Sequence, residues 1–322
     1  MEPTTGERVA AVVSLASISS QRAVRPGPCL NGGIMRIKRR QFLQVAAASG
    51  GAALLSPTKA IAEQQFLTSA PLGSFKMFYE VHGDGPAVVF AHGSGGTHMS
   101  WWQQVPVLSK QYRCVTIDHR GFGYSKDQPN KPGRENFVSD LAGLLDRLRI
   151  DRVSLVGQSM GGLTVLGFAS RHPDRVSALI MSDTTGGYTN PEIERLRAAN
   201  KNPRSAFAPG YAQREPAMAF LYREISSLTM DDAAEATTAA GATPPPAPST
   251  DIKPLLARKV PVLFIVGEQD QLIPPAAIEA MHKEVPGSEL VKVPGAGHSV
   301  YFEKPAEYNR LVSDFLSRHV RT

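Results

Sequence analysis

Ser159 is the side chain in this sequence best placed to act as a nucleophile. It sits in Gly157-Gln158-Ser159-Met160-Gly161-Gly162, after the apolar run Val153-Ser154-Leu155-Val156 and before the helix-like Leu163-Thr164-Val165-Leu166. A Ser between glycines at a strand-to-helix corner is the G-x-S-x-G pattern of a nucleophile held on a sharp turn. Such a turn strains the Ser backbone and packs it against its neighbours. Gly157 and Gly161 have no Cβ to clash, so the hydroxyl can stand at the tip of a sheet. The helix that follows supplies N–H groups and a positive dipole end, both suited to a developing oxyanion.

A serine nucleophile needs a base, an acid to orient that base, and donors for the oxyanion. In Pro294-Gly295-Ala296-Gly297-His298 a Gly-rich loop carries His298, a general base that then becomes the general acid. Gly267-Glu268-Gln269-Asp270-Gln271-Leu272-Ile273-Pro274 offers Asp270 to accept the imidazole Nδ1–H, with Asp183 and Glu268 as rival carboxylates. His92-Gly93-Ser94-Gly95-Gly96 is a turn whose Ser94 N–H would be one oxyanion donor; the N–H of Met160 would be the other. The chain order Ser, Asp, His puts the base late, so His92 is read as bracing its own loop. His98, just beyond, is a candidate for lining the pocket.

The elements that must position these residues follow from periodicity. Strands are predicted at 75–81, 87–91, 114–117, 153–156, 176–181, 260–266 and 289–293. Helices are predicted at 101–108, 137–148, 163–171, 276–285 and 307–319. This alternation implies an α/β fold: a mostly parallel, twisted sheet with helices on both faces. Chemistry in such sheets gathers at the carboxyl ends of the strands. The alternation breaks at 188–253, where helical pieces (192–199, 217–227, 231–240) lead into Thr243-Pro244-Pro245-Pro246. An insertion on the active side of the sheet reads as a helical lid. The organisation expected is a leader over 1–62, a core in two parts over 63–187 and 254–322, and a lid or cap over 188–253.

The formal charge of +6 is misleading. Residues 1–62 carry Arg8, Arg22, Arg25, Arg36, Lys38, Arg39, Arg40 and Lys59 against Glu2 and Glu7, which accounts for all of it. No basic stripe remains for nucleic acid. Arg36-Ile37-Lys38-Arg39-Arg40-Gln41-Phe42-Leu43 is a basic n-region, 45–55 a short Ala/Gly-rich apolar core, and Ala60-Ile61-Ala62 a small-x-small cleavage site. The paired arginines resemble a twin-arginine export signal, so a periplasmic or secreted product is expected. The apolar run falls short of the ~20 residues that span a bilayer, so no stable membrane insertion is expected after cleavage. Met35 stands directly before the n-region, and residues 1–34 are read as an over-long start; the N-terminal mass of the native product tests this. Of Cys29 and Cys114, cleavage would leave Cys114 alone, and no Cys/His spacing suggests a metal site. No cofactor is expected, and the partner is a small-molecule substrate.

Together these motifs resemble the α/β-hydrolase superfamily over about 72–186 and 254–320. The resemblance rests on His92-Gly93, Asp118-His119-Arg120-Gly121-Phe122-Gly123-Tyr124-Ser125, the Ser159 turn, Gly267–Asp270 and Gly295–His298. It implies a Ser159–His298–Asp270 triad with the Ser94 and Met160 N–H groups as oxyanion hole. It assigns Asp118 to Ser125 a scaffold role. Epoxide hydrolases and haloalkane dehalogenases of similar fold use Asp at the turn, whereas Ser159 suits an acyl-enzyme. The lipase-type His-Gly-Gly-Gly is replaced by His92-Gly93-Ser94-Gly95, which resembles small-substrate esterases, lactonases and ring-cleavage-product hydrolases. The expected activity is hydrolysis of carboxylic esters or lactones. The alternatives are C–C hydrolysis of a vinylogous diketone and non-catalytic ligand binding. Trp101, Trp102, Phe207, Tyr211, Phe220 and Tyr222 are candidates either for an apolar substrate pocket or for packing.

Overall fold

The computed structural model describes residues 68–72, 75–126, 133–202, 204–228 and 249–320. The leader read over 1–62, the helix expected at 231–240 and the proline-rich run after it lie outside the described residues.

Among the described residues, eight strands form one sheet in the order β1-β2-β4-β3-β5-β6-β7-β8. They are β1 Thr68–Leu72, β2 Phe75–His82, β3 Ala87–Ala91, β4 Arg113–Ile117, β5 Val153–Gln158, β6 Val176–Ser182, β7 Val262–Gly267 and β8 Glu289–Val293. β2 pairs antiparallel with β1 and β4, and every pairing from β4 to β8 is parallel. β3 lies between β4 and β5, so the chain leaves it toward one side of the sheet and later returns on the other. That reversal opens a crevice at the carboxyl ends of the strands. The segments that follow β3 and β5, residues 92–96 and 159–161, flank it.

β3, β5 and β7 are buried along their whole length, as their unbroken apolar runs require. Alternate residues serve two cores. Val89, Leu155, Leu179 and Phe264 pack with Leu141, Leu144, Val165 and Ile278, which belong to the helices Phe137–Arg147, Gly161–Arg171 and Pro275–Lys283. Phe90, Val156, Ile180 and Ile265 pack on the other face with Trp101, Tyr301, Phe302 and Phe315, the last from the helix Pro305–His319. Cys114 is buried in β4, and desolvation pushes its thiol up to about 12, so it packs as an inert apolar group.

Two expectations need correction. The helix expected at 101–108 is instead a 3₁₀ turn, His98–Trp101, followed by the short helix Val105–Leu108. Thr97 caps the first with its side chain, and Pro106 in the first turn of the second starts a new helix. The strand expected from 260 begins at Val262, because Pro261 has no N–H to give, although its carbonyl still accepts from Leu179. β1 and the helix Lys253–Arg258 have no counterpart in the sequence reading.

Phe264 is fully buried at the centre of the sheet. Phe264→Ala should cost about 3–5 kcal/mol, read as a lower urea midpoint at unchanged m-value. A loss below about 1 kcal/mol would mean that this part of the core can collapse around the cavity.

Candidate functional site

Ser159 follows β5 directly and has φ 50°, one of a few non-glycine residues in the left-handed region. Such a conformation costs about 1–3 kcal/mol and persists only where the surroundings over-determine it. Here they do. The Ser159 N–H donates to the Ser182 carbonyl at 3.0 Å, and the Thr184 hydroxyl donates to the Ser159 carbonyl at 2.8 Å. A Cβ at Gly161 would collide with the Ala91 carbonyl, and one at Gly157 with Val165 and, at 2.8 Å, the Gly161 carbonyl oxygen. Both glycines are therefore required by close backbone approach. The helix Gly161–Arg171 begins immediately behind the serine, with Met160 at its N-cap.

His298 and Asp270 meet Ser159 from the loops after β8 and β7. His298 Nε2 lies 2.8 Å from Ser159 Oγ, and His298 Nδ1 lies 2.8 Å from Asp270 Oδ2. The other Asp270 oxygen accepts N–H bonds from Leu272 at 2.8 Å and Ile273 at 3.0 Å. These bonds fix the carboxylate in place beside the imidazole. The carboxylate fixes the tautomer with Nδ1–H toward Asp270 and the Nε2 lone pair toward the serine hydroxyl. Asp183, the rival acid, is fully buried at the end of β6, and its Oδ1 accepts from the Gly267 N–H at 2.9 Å. Glu268 is exposed.

The turn at 93–96 lies beside the serine: a Cβ at Gly93 would stand 3.2 Å from Ser159 Cβ and collide with Gln158. Neither the Ser94 nor the Met160 N–H has an acceptor among the described residues. His92 is buried under this turn; its Nδ1–H donates to the Gly93 carbonyl at 2.7 Å, and Nε2 accepts the His119 N–H at 3.0 Å. Burial holds its pKa down at about 4. It is a neutral brace, with both ring nitrogens committed. Asp118 accepts from the His98 N–H, His98 Nδ1–H and Tyr124 N–H, while Ser125 Oγ bridges the Asp118 carbonyl and the Phe78 N–H. The segment 118–125 thus locks the 92–98 loop onto β2.

Residues missed by the sequence reading complete the support. Gln158 Nε2 donates to the His298 carbonyl at 2.8 Å. The buried Glu303 accepts from the Gly297 N–H and the Ala208 N–H, both at 2.9 Å, joining the His298 loop to the segment between β6 and β7. Gln158 carries a faint signal, an amide at the same strand parity as buried Val156; Glu303 carries none. Ser226 Oγ, in the helix Pro216–Ser227, donates to the Gly95 carbonyl at 2.7 Å. Phe207 packs against Tyr211, Tyr222 and Phe302, and Tyr222 against Phe302, at 4.7–6.1 Å, which packs the insertion onto the core; Phe220 is exposed. The two tryptophans lie in different surroundings. Trp101 is fully buried against Phe90 and Tyr301, at 5.3 and 4.9 Å. Trp102 is 43% exposed, and together with Trp101 and His98 it borders a separate cavity over β2 and β4.

A family model described as "Alpha/beta hydrolase family" matches residues 88–311. The chain is 32% identical to a putative 2-succinyl-6-hydroxy-2,4-cyclohexadiene-1-carboxylate synthase of Bacillus subtilis, covering 74% of this chain and 94% of that protein. It is 30% identical to the 2-hydroxy-6-oxo-2,4-heptadienoate hydrolase of Pseudomonas putida, covering 73% and 90%. The crystal structure of the enol-lactonase from Burkholderia xenovorans superposes with a TM-score of 0.65 at 26% identity, covering 78% of this chain and all of that one.

Burial raises the Asp183 carboxyl well above its ordinary value, and the nearby Asp270 charge adds to this. The folded chain then binds that proton more tightly than the unfolded chain. Its contribution to stability is complete below the ordinary carboxylate range and is lost as pH rises through the raised value. Asp183→Asn should flatten this fall in urea unfolding, leaving a smaller remainder from Glu303, which burial also raises. An unchanged slope would assign the pH window to other groups.

Proposed function

The chain belongs to the alpha/beta hydrolase family, and from that premise we propose that it hydrolyses carboxylic esters or lactones through an acyl-enzyme on Ser159. The observation that carries this reading is the continuous hydrogen-bonded chain Ser159 Oγ, His298 Nε2, His298 Nδ1, Asp270 Oδ2, with both links at 2.8 Å. Ser159 attacks the carbonyl carbon as His298 Nε2 takes its proton. Asp270 stabilises the imidazolium that forms. The N–H groups of Ser94 and Met160 receive the developing oxyanion, with the positive end of the Gly161–Arg171 helix behind them. His298 then gives its proton to the leaving oxygen. In the second half it takes one from the water that attacks the acyl-enzyme.

The likeness to the Burkholderia enol-lactonase supports an ester-type carbonyl as substrate. The segment 188–253 acts as the lid in this reading, supported by the Ser226 and Glu303 bonds that tie it to the loops around Ser159. Export rests on the twin-arginine-like grammar of the leader. The likeness to the Pseudomonas hydrolase favours a second reading on the same residues, C–C cleavage of a vinylogous diketone.

The test is an activated aryl-ester series of increasing acyl length, run beside an enol-lactone and a ring-cleavage diketone. Ser159→Ala and His298→Ala should each lower turnover by about three to six orders of magnitude while leaving the fold intact by circular dichroism. Turnover confined to the diketone would move the assignment to C–C hydrolysis. Full activity of Ser159→Ala would exclude the acyl-enzyme altogether.

A further inference from the structure

The cavity over β2 and β4 encloses about 520 Å³ and is lined by none of the residues assigned to the hydrolytic reaction. This volume lies within the range of small-molecule sites, about 300–1,000 Å³. Its floor is the sheet: Phe78, Glu80 and His82 alternate along β2, and Thr116 of β4 pairs directly with Glu80. Its wall is the segment 98–109, with Trp101 and Trp102, and Tyr124 closes one side.

Two features of this cavity point to a ligand. The first is unburied apolar surface: Met99, Trp102 and Tyr124 are 40%, 43% and 52% exposed around the mouth. Large apolar side chains gathered at one spot mark a binding surface. The second is charge. Among the described residues the lining includes the Glu80 carboxylate and neither Lys nor Arg. The His82 ring donates to Glu80 at 3.1 Å, which helps hold this carboxylate below its usual range and therefore ionised. An anion would be repelled there. A cation would meet both the carboxylate and the negative faces of aromatic rings.

We propose that this cavity is a second binding site, selective for a small organic ammonium ion. The ammonium lies against the Trp102, Tyr124 and Phe78 rings and the Glu80 carboxylate. The site does not depend on the reaction at Ser159. It adjoins the loop that holds Ser94, because the 3₁₀ turn His98–Trp101 starts at Thr97, right after that loop.

Trp101 and Trp102 are the only tryptophans of the chain, so intrinsic fluorescence reports directly on this cavity. The full chain would be titrated with choline and with its uncharged isostere 3,3-dimethylbutan-1-ol, with calorimetry in parallel. Choline should give a saturable fluorescence change and bind at least about tenfold more tightly than the isostere. Trp102→Leu, read by calorimetry, and Glu80→Gln should each weaken choline by about tenfold or more, at unchanged thermal midpoint. Ser159→Ala should leave choline binding untouched. The absence of saturable binding by both methods would overturn the proposal. Equal affinity for the isostere would do so too, by showing a merely apolar pocket. Loss of binding in Ser159→Ala would move choline to the hydrolytic site and overturn it as well.

Discussion

The candidate site depends on how closely two backbones approach at the ends of β3 and β5. Gly161 lies against the Ala91 carbonyl, and Gly93 lies against Gln158 and Ser159. No side chain fits in either contact. This approach brings the turn that follows β3 beside the turn that follows β5. The left-handed conformation of Ser159 is held by its N–H on the Ser182 carbonyl, at the end of β6, and by the Thr184 hydroxyl on its carbonyl. The strain at the nucleophile is offset by strand pairing that the fold makes anyway.

Around that contact the chain buries three carboxyl groups within a few residues of the reacting atoms, and their hydrogen bonds separate their roles. Asp270 accepts two backbone N–H bonds and one imidazole N–H, and so orients His298. Asp183 is fully buried beside Asp270, with Oδ1 on the Gly267 N–H; burial drives it toward the protonated form. Glu303 spends its two oxygens on two different segments. It works as a structural tie between the insertion and the loop that carries His298.

The two faces of the sheet carry different responsibilities. On one, the helices Phe137–Arg147, Gly161–Arg171 and Pro275–Lys283 form an apolar layer with few polar interruptions. The other holds the tyrosines and tryptophans, the tie to the insertion, and the cavity under the segment 98–109. Several buried polar atoms on this second side, among them Trp101 Nε1, Thr116 Oγ and Tyr112 Oη, have no hydrogen-bond partner among the described residues.

The sequence by itself determined the alternating elements, the mostly parallel sheet, and the three segments that carry Ser159, Asp270 and His298. These are legible because strand and helix periodicity and Gly-rich turns are local properties, set within a few residues. It left Asp183 and Glu268 open as rivals to Asp270, because both sit at strand ends and composition does not show which carboxylate an imidazole 28 residues away will meet. It left Trp101 and Trp102 open between a substrate pocket and packing, whereas the fold buries Trp101 against Phe90 and Tyr301 and leaves Trp102 at the mouth of a cavity over β2 and β4. It had no signal for Glu303, whose role depends on Ala208, 95 residues distant. These were decided only by tertiary structure: hydrogen bonds between loops depend on where strand order and chain reversal bring their ends, and no local pattern encodes that distance.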